Sequence, residues 1–177
     1  MGGPAQFRIY ELSIIELFGT DSVIKRALIR GKRMKSIIVQ DTGFVLDDWS
    51  GPLLDWDIAT QSGADPEKGY GLDVPNTVTA KQLKPYFNSV SMIRVSFPSF
   101  SDGRGFSIAR TLRLMNFTGR LRAHGNLLAD QYTMARRVGF DEVEIYQALA
   151  ERQPEDQWLA RANWQSHSYL SRLRAGV

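Results

Sequence analysis

The chain has no cysteine and only two histidines among its 177 residues. The absence of cysteine excludes disulfide bonds, thiol nucleophiles, and iron–sulfur or zinc sites built on thiolates of this chain. No apolar run approaches the ~18 residues that predict a membrane span, so we expect no membrane partner. The sequence also has no Walker loop, no dinucleotide-binding glycine motif and no serine-nucleophile elbow. We therefore expect no metal site and no cofactor held by this chain.

The excess of basic residues is confined to the start of the chain. The whole sequence has 22 basic and 19 acidic residues, a net charge of +3. Residues 1–33 hold six basic and three acidic side chains, which leaves residues 34–177 with 16 of each. A neutral domain without interleaved basic and aromatic residues does not favour nucleic-acid binding. In residues 1–33 the apolar run precedes the basic one, the reverse of a secretory signal. We expect a cytoplasmic protein in which residues 1–33 are a non-native or flexible extension and residues 34–177 form one domain.

Strand and helix patterns alternate along that domain. Residues 36–40 and 44–46 flank an Asp-Thr-Gly turn, which predicts an N-terminal hairpin. Further strands are predicted at 70–74, 91–97, 120–123 and 140–145, with helices at 79–84, 106–115 and 127–138. Residues 50–69 are predicted to be a loop, and the chain from 147 onward has helical composition. The alternation predicts a single α/β domain with a parallel sheet of about four strands, βαβ crossovers and a helical C-terminal cover. A flavodoxin-like sheet and part of a barrel both fit this pattern.

A glycine-rich loop follows the strongest predicted strand and precedes a helix. Loops at the carboxyl ends of parallel strands converge on one edge of the sheet, where ligands bind. In this loop Gly103 and Gly105 would let the backbone approach a ligand, and Arg104 could hold an oxyanion through its planar fork of donors. Asp102 could orient Arg104 or cap the helix. The alternative is a tight turn with a capping aspartate and a solvated arginine.

The next predicted crossover supports an anion site at the same edge. Arg122 and His124 follow a predicted strand, and Asp130 and Gln131 lie in the first turn of the helix after it. Two arginines from neighbouring loops would make an oxyanion pocket, although His124 can equally be a hydrogen-bonded structural residue. Asp130 and Gln131 can bind substrate or favour the helix N-terminus through its dipole. The candidate anion-binding residues are therefore Asp102, Gly103, Arg104, Gly105, Ser107, Arg122, His124, Asp130 and Gln131. No catalytic residue is assigned.

The same motifs resemble a known bacterial family, the domain of unknown function 934. The resemblance rests on the stretches at 102–110, 119–123, 130–131 and 139–141, together with Asp-Asp-Trp at 47–49 and Phe-Pro at 97–98. It covers roughly residues 34–169. The sequence departs from the family where the family usually has cysteine, here Val138, and where it usually has an apolar residue and aspartate, here His124 and Asn126. A thiol is therefore not essential, and an acidic role at position 126 is in doubt.

The resemblance implies a pathway rather than a reaction. Members are typically encoded beside sulfite reductase and are often labelled as oxidoreductases of sulfite reduction. We therefore expect an accessory protein of assimilatory sulfate or sulfite reduction that binds a small oxyanion, sulfite or sulfate. Because the chain shows no redox cofactor site, sulfite reductase or its electron-donor protein would supply electrons. Two alternatives are a non-catalytic partner that docks on sulfite reductase, and an enzyme that acts on a phosphorylated metabolite with Asp102 or Asp130 as base. Whether the chain is an enzyme is left open.

Overall fold

The structure is a computed structural model that describes residues 36–61 and 69–166. The extension predicted at residues 1–33 lies outside the described residues. The strands are β1 (Ser36–Gln40), β2 (Gly43–Val45), β3 (Leu53–Asp55), β4 (Tyr70–Val74), β5 (Val90–Phe97), β6 (Arg120–Gly125) and β7 (Glu142–Tyr146). The described α-helices are α1 (Trp56–Gln61), α2 (Ala80–Leu83), α3 (Arg104–Leu114), α4 (Tyr132–Val138), α5 (Gln147–Arg152) and α6 (Glu155–Leu159). A short 3₁₀ turn at Lys84–Tyr86 follows α2, and a second one at Ala129–Gln131 precedes α4.

The described strands form one mixed sheet in the order β2-β1-β7-β6-β5-β4-β3. Strands β3 to β7 are parallel, and each is the neighbour of the next one along the chain. The hairpin β1–β2 extends the same sheet, because β1 pairs antiparallel with β7. The α/β class is confirmed, but the sheet has five parallel strands where about four were expected. The parallel strands follow one another across the sheet in the order in which they occur in the chain. This order is that of a barrel segment, whereas in a flavodoxin-like sheet the strand order reverses at a switch point.

The helices cover one face of this sheet and bury the main core. Right-handed crossovers between sequential parallel strands place successive helices on the same side. Residues Ile93, Val95 and Phe97 of β5 point to that side and join the core with Phe106 and Leu112 of α3. A well-packed apolar core of this kind supplies most of the driving force for folding.

The opposite face of the parallel strands is polar. Its side chains include Asp73, Arg94, Arg120, Arg122, His124, Glu142 and Glu144, together with the apolar Met92, and we call it the polar face. Arg122 and Glu142 are each only 1% exposed, so this face is covered although it is charged. Burial of charge is tolerated only where each group has a partner, and this determines the contacts on the polar face.

Residues 46–52 cross the polar face, and we call them the crossing segment. The crossing is required because β2 and β3 lie at opposite edges of the sheet. Along the way Asp47 binds Arg122, with 2.7 Å between Oδ1 and Nη2, and Asp48 binds Arg120 at 2.6 Å. Further on, the Trp49 ring packs beside Gly71, where a Cβ would lie 3.2 Å from Trp49 Cζ2.

The prediction of a loop over residues 50–69 was wrong in its first part. Residues Leu53–Asp55 form β3, and Trp56–Gln61 form α1. A strand of three residues has no measurable periodicity, so only its pairing with β4 defines it. The C-terminal cover is present in the described chain as α5 and α6, and it buries Trp158 to 1% exposure.

Candidate functional site

The glycine-rich loop lies at the carboxyl end of β5, and side chains from the next crossover hold it there. The Asn126 amide donates to the carbonyl of Pro98 at 2.8 Å. The Gln131 amide donates to the carbonyl of Phe100 at 2.8 Å. Backbone carbonyls at a loop would otherwise depend on water, and these two side chains fix the loop backbone instead. The structure therefore brings Gln131 and the glycine-rich loop together, and adds Asn126.

Asp102 and Arg104 form an ion pair with each other at the start of α3. Arg104 donates from Nε at 2.9 Å and from NH2 at 2.5 Å to the two carboxylate oxygens. The hydrogen bond from Arg104 holds the pKa of Asp102 well below its usual range. The pair uses two of the five guanidinium N–H groups, and the Arg104 side chain is 59% exposed. Arg104 can still contact an anion, but the carboxylate of Asp102 already neutralises its charge.

The two glycines of this loop have different roles. A Cβ on Gly105 would lie 2.4 Å from the Phe97 ring, so this glycine lets α3 pack closely on β5. A Cβ on Gly103 would meet nothing nearer than 3.8 Å, and Gly103 is exposed. Ser107, on the exposed side of α3, offers its carbonyl to Thr111. Gly105 is therefore needed for packing of the helix, and Gly103 alone leaves backbone open to a ligand.

Arg122 does not lie at the carboxyl edge beside Arg104, and that placement needs correction. The strand β6 runs to Gly125, so Arg122 is in its middle, paired across the sheet with Arg94 and Glu142. Its guanidinium donates to Glu142 at 2.7 Å, to Asp47 at 2.7 and 2.9 Å and to Glu144 at 3.3 Å. An arginine that is 1% exposed and bound to three carboxylates has no free donor set for a ligand.

The charge balance of the polar face also disfavours an anion there. Three guanidinium groups meet five carboxylates, those of Asp47, Asp48, Asp73, Glu142 and Glu144. Burial disfavours the charged form of Glu144, but the nearby charges, that of Arg94 first and also that of Arg122, outweigh it and lower the pKa of Glu144. Because carboxylates outnumber guanidinium groups on this face, an incoming oxyanion would be repelled.

His124 lies on the polar face and not in the loop after β6. Its ring makes an edge contact with Tyr146, with 5.4 Å between ring centroids. Its Nδ1 is enclosed and has no hydrogen-bond partner among the described residues. Burial, followed by the charge of Arg94, lowers the pKa of His124 below its usual 6.5. The imidazole is therefore neutral at pH 7 and packs as a half-buried aromatic side chain.

We expect the stability of the wild type to fall between pH 6.5 and pH 5, and we expect His124→Val to abolish this fall. The unfolded chain takes up a proton on this histidine near pH 6.5, whereas the folded chain does so only at lower pH. Folding stability therefore falls as the pH drops below 6.5, and a valine, which does not titrate, removes this fall. Urea denaturation at pH 7.5, 6.5, 5.5 and 5.0, in a His167→Gln background, isolates His124 because the chain has two histidines. Parallel pH profiles with and without His124 would contradict the assignment.

Asp130 and Asp102 bind different arginines. The Asp130 carboxylate binds Arg161 at 2.7 Å, and its side chain is 76% exposed. Asp102 is bound to Arg104. The two carboxylates therefore have separate partners and do not form an acid–base or metal pair. Across the described residues, no group of three or more histidine, aspartate or glutamate side chains is placed to hold a metal ion.

An open cleft of about 470 Å³ lies at the carboxyl edge between the loop after β5, the loop after β6 and the end of α5. It is lined by Pro98, Ser99, Phe100, Asn126, Leu128, Leu149, Arg152 and Gln153. Arg152 is exposed, and its guanidinium has no hydrogen bond or ion pair to any residue within 36–61 or 69–166. This cation was missed from sequence because it ends a helix in a region whose only signal was helical composition. Its position six residues after the end of β7 was the available signal.

A comparison with protein-family models agrees with the family resemblance. A family model described as bacterial protein of unknown function (DUF934) matches residues 71–174. The match covers more than half of the 177 residues and includes the glycine-rich loop and the cleft. No curated protein and no solved structure matches the chain. In the described part of the chain, no helix has the length and apolar character needed to cross a membrane.

Proposed function

The chain belongs to the DUF934 family, and from that premise we propose that it is an accessory protein of assimilatory sulfate or sulfite reduction that binds a small oxyanion at the carboxyl edge of its sheet. The pathway is what the family resemblance implies. Sulfite or sulfate is the natural ligand in such a pathway. Sulfite reductase or its electron-donor protein would supply the electrons for any reduction.

One observation supports the anion site: within residues 36–61 and 69–166, the guanidinium of Arg152 beside the cleft has no hydrogen bond or ion pair. The other two candidate arginines are neutralised, Arg104 by Asp102 and Arg122 by three carboxylates. An arginine without a carboxylate partner keeps its charge and its planar donor fork for an incoming anion. We therefore assign the main contact to Arg152 and keep the Arg104 loop as a second contact to be tested.

A second candidate function is docking on sulfite reductase without binding a small ligand. The observation that favours it is Phe100, an aromatic side chain that is 56% exposed at the rim of the same cleft. Aromatic residues on a protein surface often anchor a protein interface. A phosphate-ester enzyme is less favoured, because Asp102 is bound by Arg104 and Asp130 by Arg161.

The test is calorimetric titration of sulfite, sulfate and phosphate into the full chain. We expect one of these anions to bind, and Arg152→Gln to weaken it by about tenfold, the loss of one charged hydrogen-bonding contact. Arg110→Gln is the matched control, since Arg110 is also exposed but lies on α3. Arg104→Gln reports on the second contact.

Two outcomes would contradict the proposal. No anion binding by the folded wild type would remove the anion site and leave docking on sulfite reductase as the function to test, by co-purification. Binding that Arg110→Gln weakens as much as Arg152→Gln does would show a general effect of surface charge instead of a site.

A further inference from the structure

The walls of the cleft suggest a ligand larger than an inorganic oxyanion. A volume of about 470 Å³ lies within the range of ~300–1,000 Å³ that is typical of pockets for organic ligands. An inorganic anion held by Arg152 would leave most of this space to water. The apolar side chains that line the rest, among them Phe100, Leu128 and Leu149, would then contribute nothing to binding.

The uncharged polar side chains in the cleft already have partners within the protein. The Asn126 amide binds the Pro98 carbonyl, and the Gln153 side-chain oxygen accepts from the backbone N–H of Ala129 at 2.7 Å. The Ser99 hydroxyl is 2.9 Å from the hydroxyl of Ser101. These groups shape the cleft, and the remaining recognition comes from one cation and the apolar wall.

The exposed aromatic ring indicates what the apolar part of the ligand is. Phe100 is 56% exposed and makes no ring contact with another aromatic side chain of the described chain. Its face is therefore open to a flat group, which aromatic rings favour in offset or edge geometry. Leu128 is half-buried and presents aliphatic surface to the same cleft.

We propose that the cleft binds an organic anion, an aromatic or heteroaromatic ring that carries a sulfonate, sulfate or phosphate group. The anionic group binds Arg152, and the ring packs on Phe100 and the leucines. This inference rests on the proposed function for its anion contact. It adds the chemical class of the organic group to which the anion is attached. Sulfonate and phosphate headgroups share this chemistry, and the test separates them.

The test is calorimetric titration of the full chain with naphthalene-1-sulfonate, naphthyl phosphate, inorganic sulfate and uncharged naphthalenemethanol. We expect a naphthyl anion to bind at least about tenfold more tightly than sulfate, a gain that corresponds to ~1.4 kcal/mol. Naphthalenemethanol lacks the charge and should bind more weakly than either naphthyl anion. The preferred headgroup identifies the sulfur or phosphorus class.

Two substitutions test separately the contact with the anionic group of the ligand and the contact with its ring. Arg152→Gln should weaken naphthyl anions without affecting naphthalenemethanol, whereas Phe100→Ser should weaken all three naphthyl compounds and leave sulfate unchanged. Each change is at an exposed side chain, so the fold is preserved. Arg110→Gln and Leu114→Ser, at exposed positions on α3, are the matched controls and should have no effect.

The outcomes separate this inference from the proposed function. If sulfate binds through Arg152 and the naphthyl group adds nothing, the ligand class is wrong and the oxyanion site stands. If naphthyl compounds bind regardless of charge and of Arg152, the cleft is an apolar site and both proposals fail. If no compound binds the folded protein, both proposals fail as well.

Discussion

Replacing Arg122 with alanine is expected to lower the free energy of unfolding by about 3–5 kcal/mol, the cost of breaking a buried ion pair from one side. The guanidinium is bound to Asp47, Glu142 and Glu144, and it is 1% exposed. Its loss leaves carboxylates buried close together without their shared counter-charge. Urea denaturation followed by circular dichroism measures the change.

The control for this prediction is Arg104→Ala. Arg104 also forms an ion pair, at 2.5 Å from Asp102, but its side chain is 59% exposed. An exposed pair is screened by water and salt, so we expect little change in stability. Arg122→Lys, which keeps the charge but loses the planar fork, should lie between the two. Equal stability of Arg122→Ala and Arg104→Ala would mean that the polar face does not hold the sheet together.

The loss caused by Arg122→Ala should also depend on pH. Contacts that lower the pKa of Glu144 stabilise the folded state above the ordinary carboxyl pKa of 4.5, and this contribution falls as the pH drops through the lowered value. Without the Arg122 charge the pKa of Glu144 should rise. The difference between wild type and variant should therefore be largest at neutral pH and shrink below pH 4.5.

The second large effect is expected for Gly125→Ala at the carboxyl edge. Gly125 has φ +119°, and a Cβ there would lie 2.5 Å from the carbonyl oxygen of Phe97. We expect a loss of about 2–6 kcal/mol, which combines about 1–3 for the backbone conformation with about 1–3 for the displaced neighbour. Thermal and urea denaturation measure it.

Gly125→Ala should also weaken anion binding, because the residue after it organises the cleft. The backbone N–H of Asn126 donates to the Phe97 carbonyl at 2.9 Å, and its side chain holds Pro98. Gly103→Ala is the matched control, since Gly103 has φ −80° and an added methyl group would lie no closer than 3.8 Å to a neighbouring atom. A change within about 0.5 kcal/mol is expected there. A tolerated Gly125→Ala would show that the two loops can move apart without cost.

Several parts of the fold could be predicted from local patterns. The eight residues of β5 include Ile93, Val95 and Phe97 at alternating positions, and this period-2 pattern depends only on the strand itself. The start of α3 follows a glycine and the end of α4 is marked by Gly139 with φ +114°. Each is a short-range preference of the backbone, which the sequence carries without reference to the rest of the chain.

The candidate site was predictable only in part. The carboxyl edge of the parallel strands was the correct place to look for the glycine-rich loop, and Gln131 does reach that loop. The short strand β3 was not predicted, because three residues are too few to show a periodic pattern. The role of Arg152 was not predicted, because an arginine at the end of a helix belongs to no recognisable motif.

The sequence by itself determined the α/β class, the N-terminal hairpin, the four parallel strands from β4 to β7 and the family. Only the tertiary structure decided the role of Arg122. The sequence places it beside a loop, but the crossing segment brings Asp47 to it from 75 residues away. Strand order and the face that a residue occupies depend on contacts between distant segments, and burial then requires opposite charges to meet. The same non-local packing places Arg152 at the edge of the cleft, where none of the described carboxylates is paired with it.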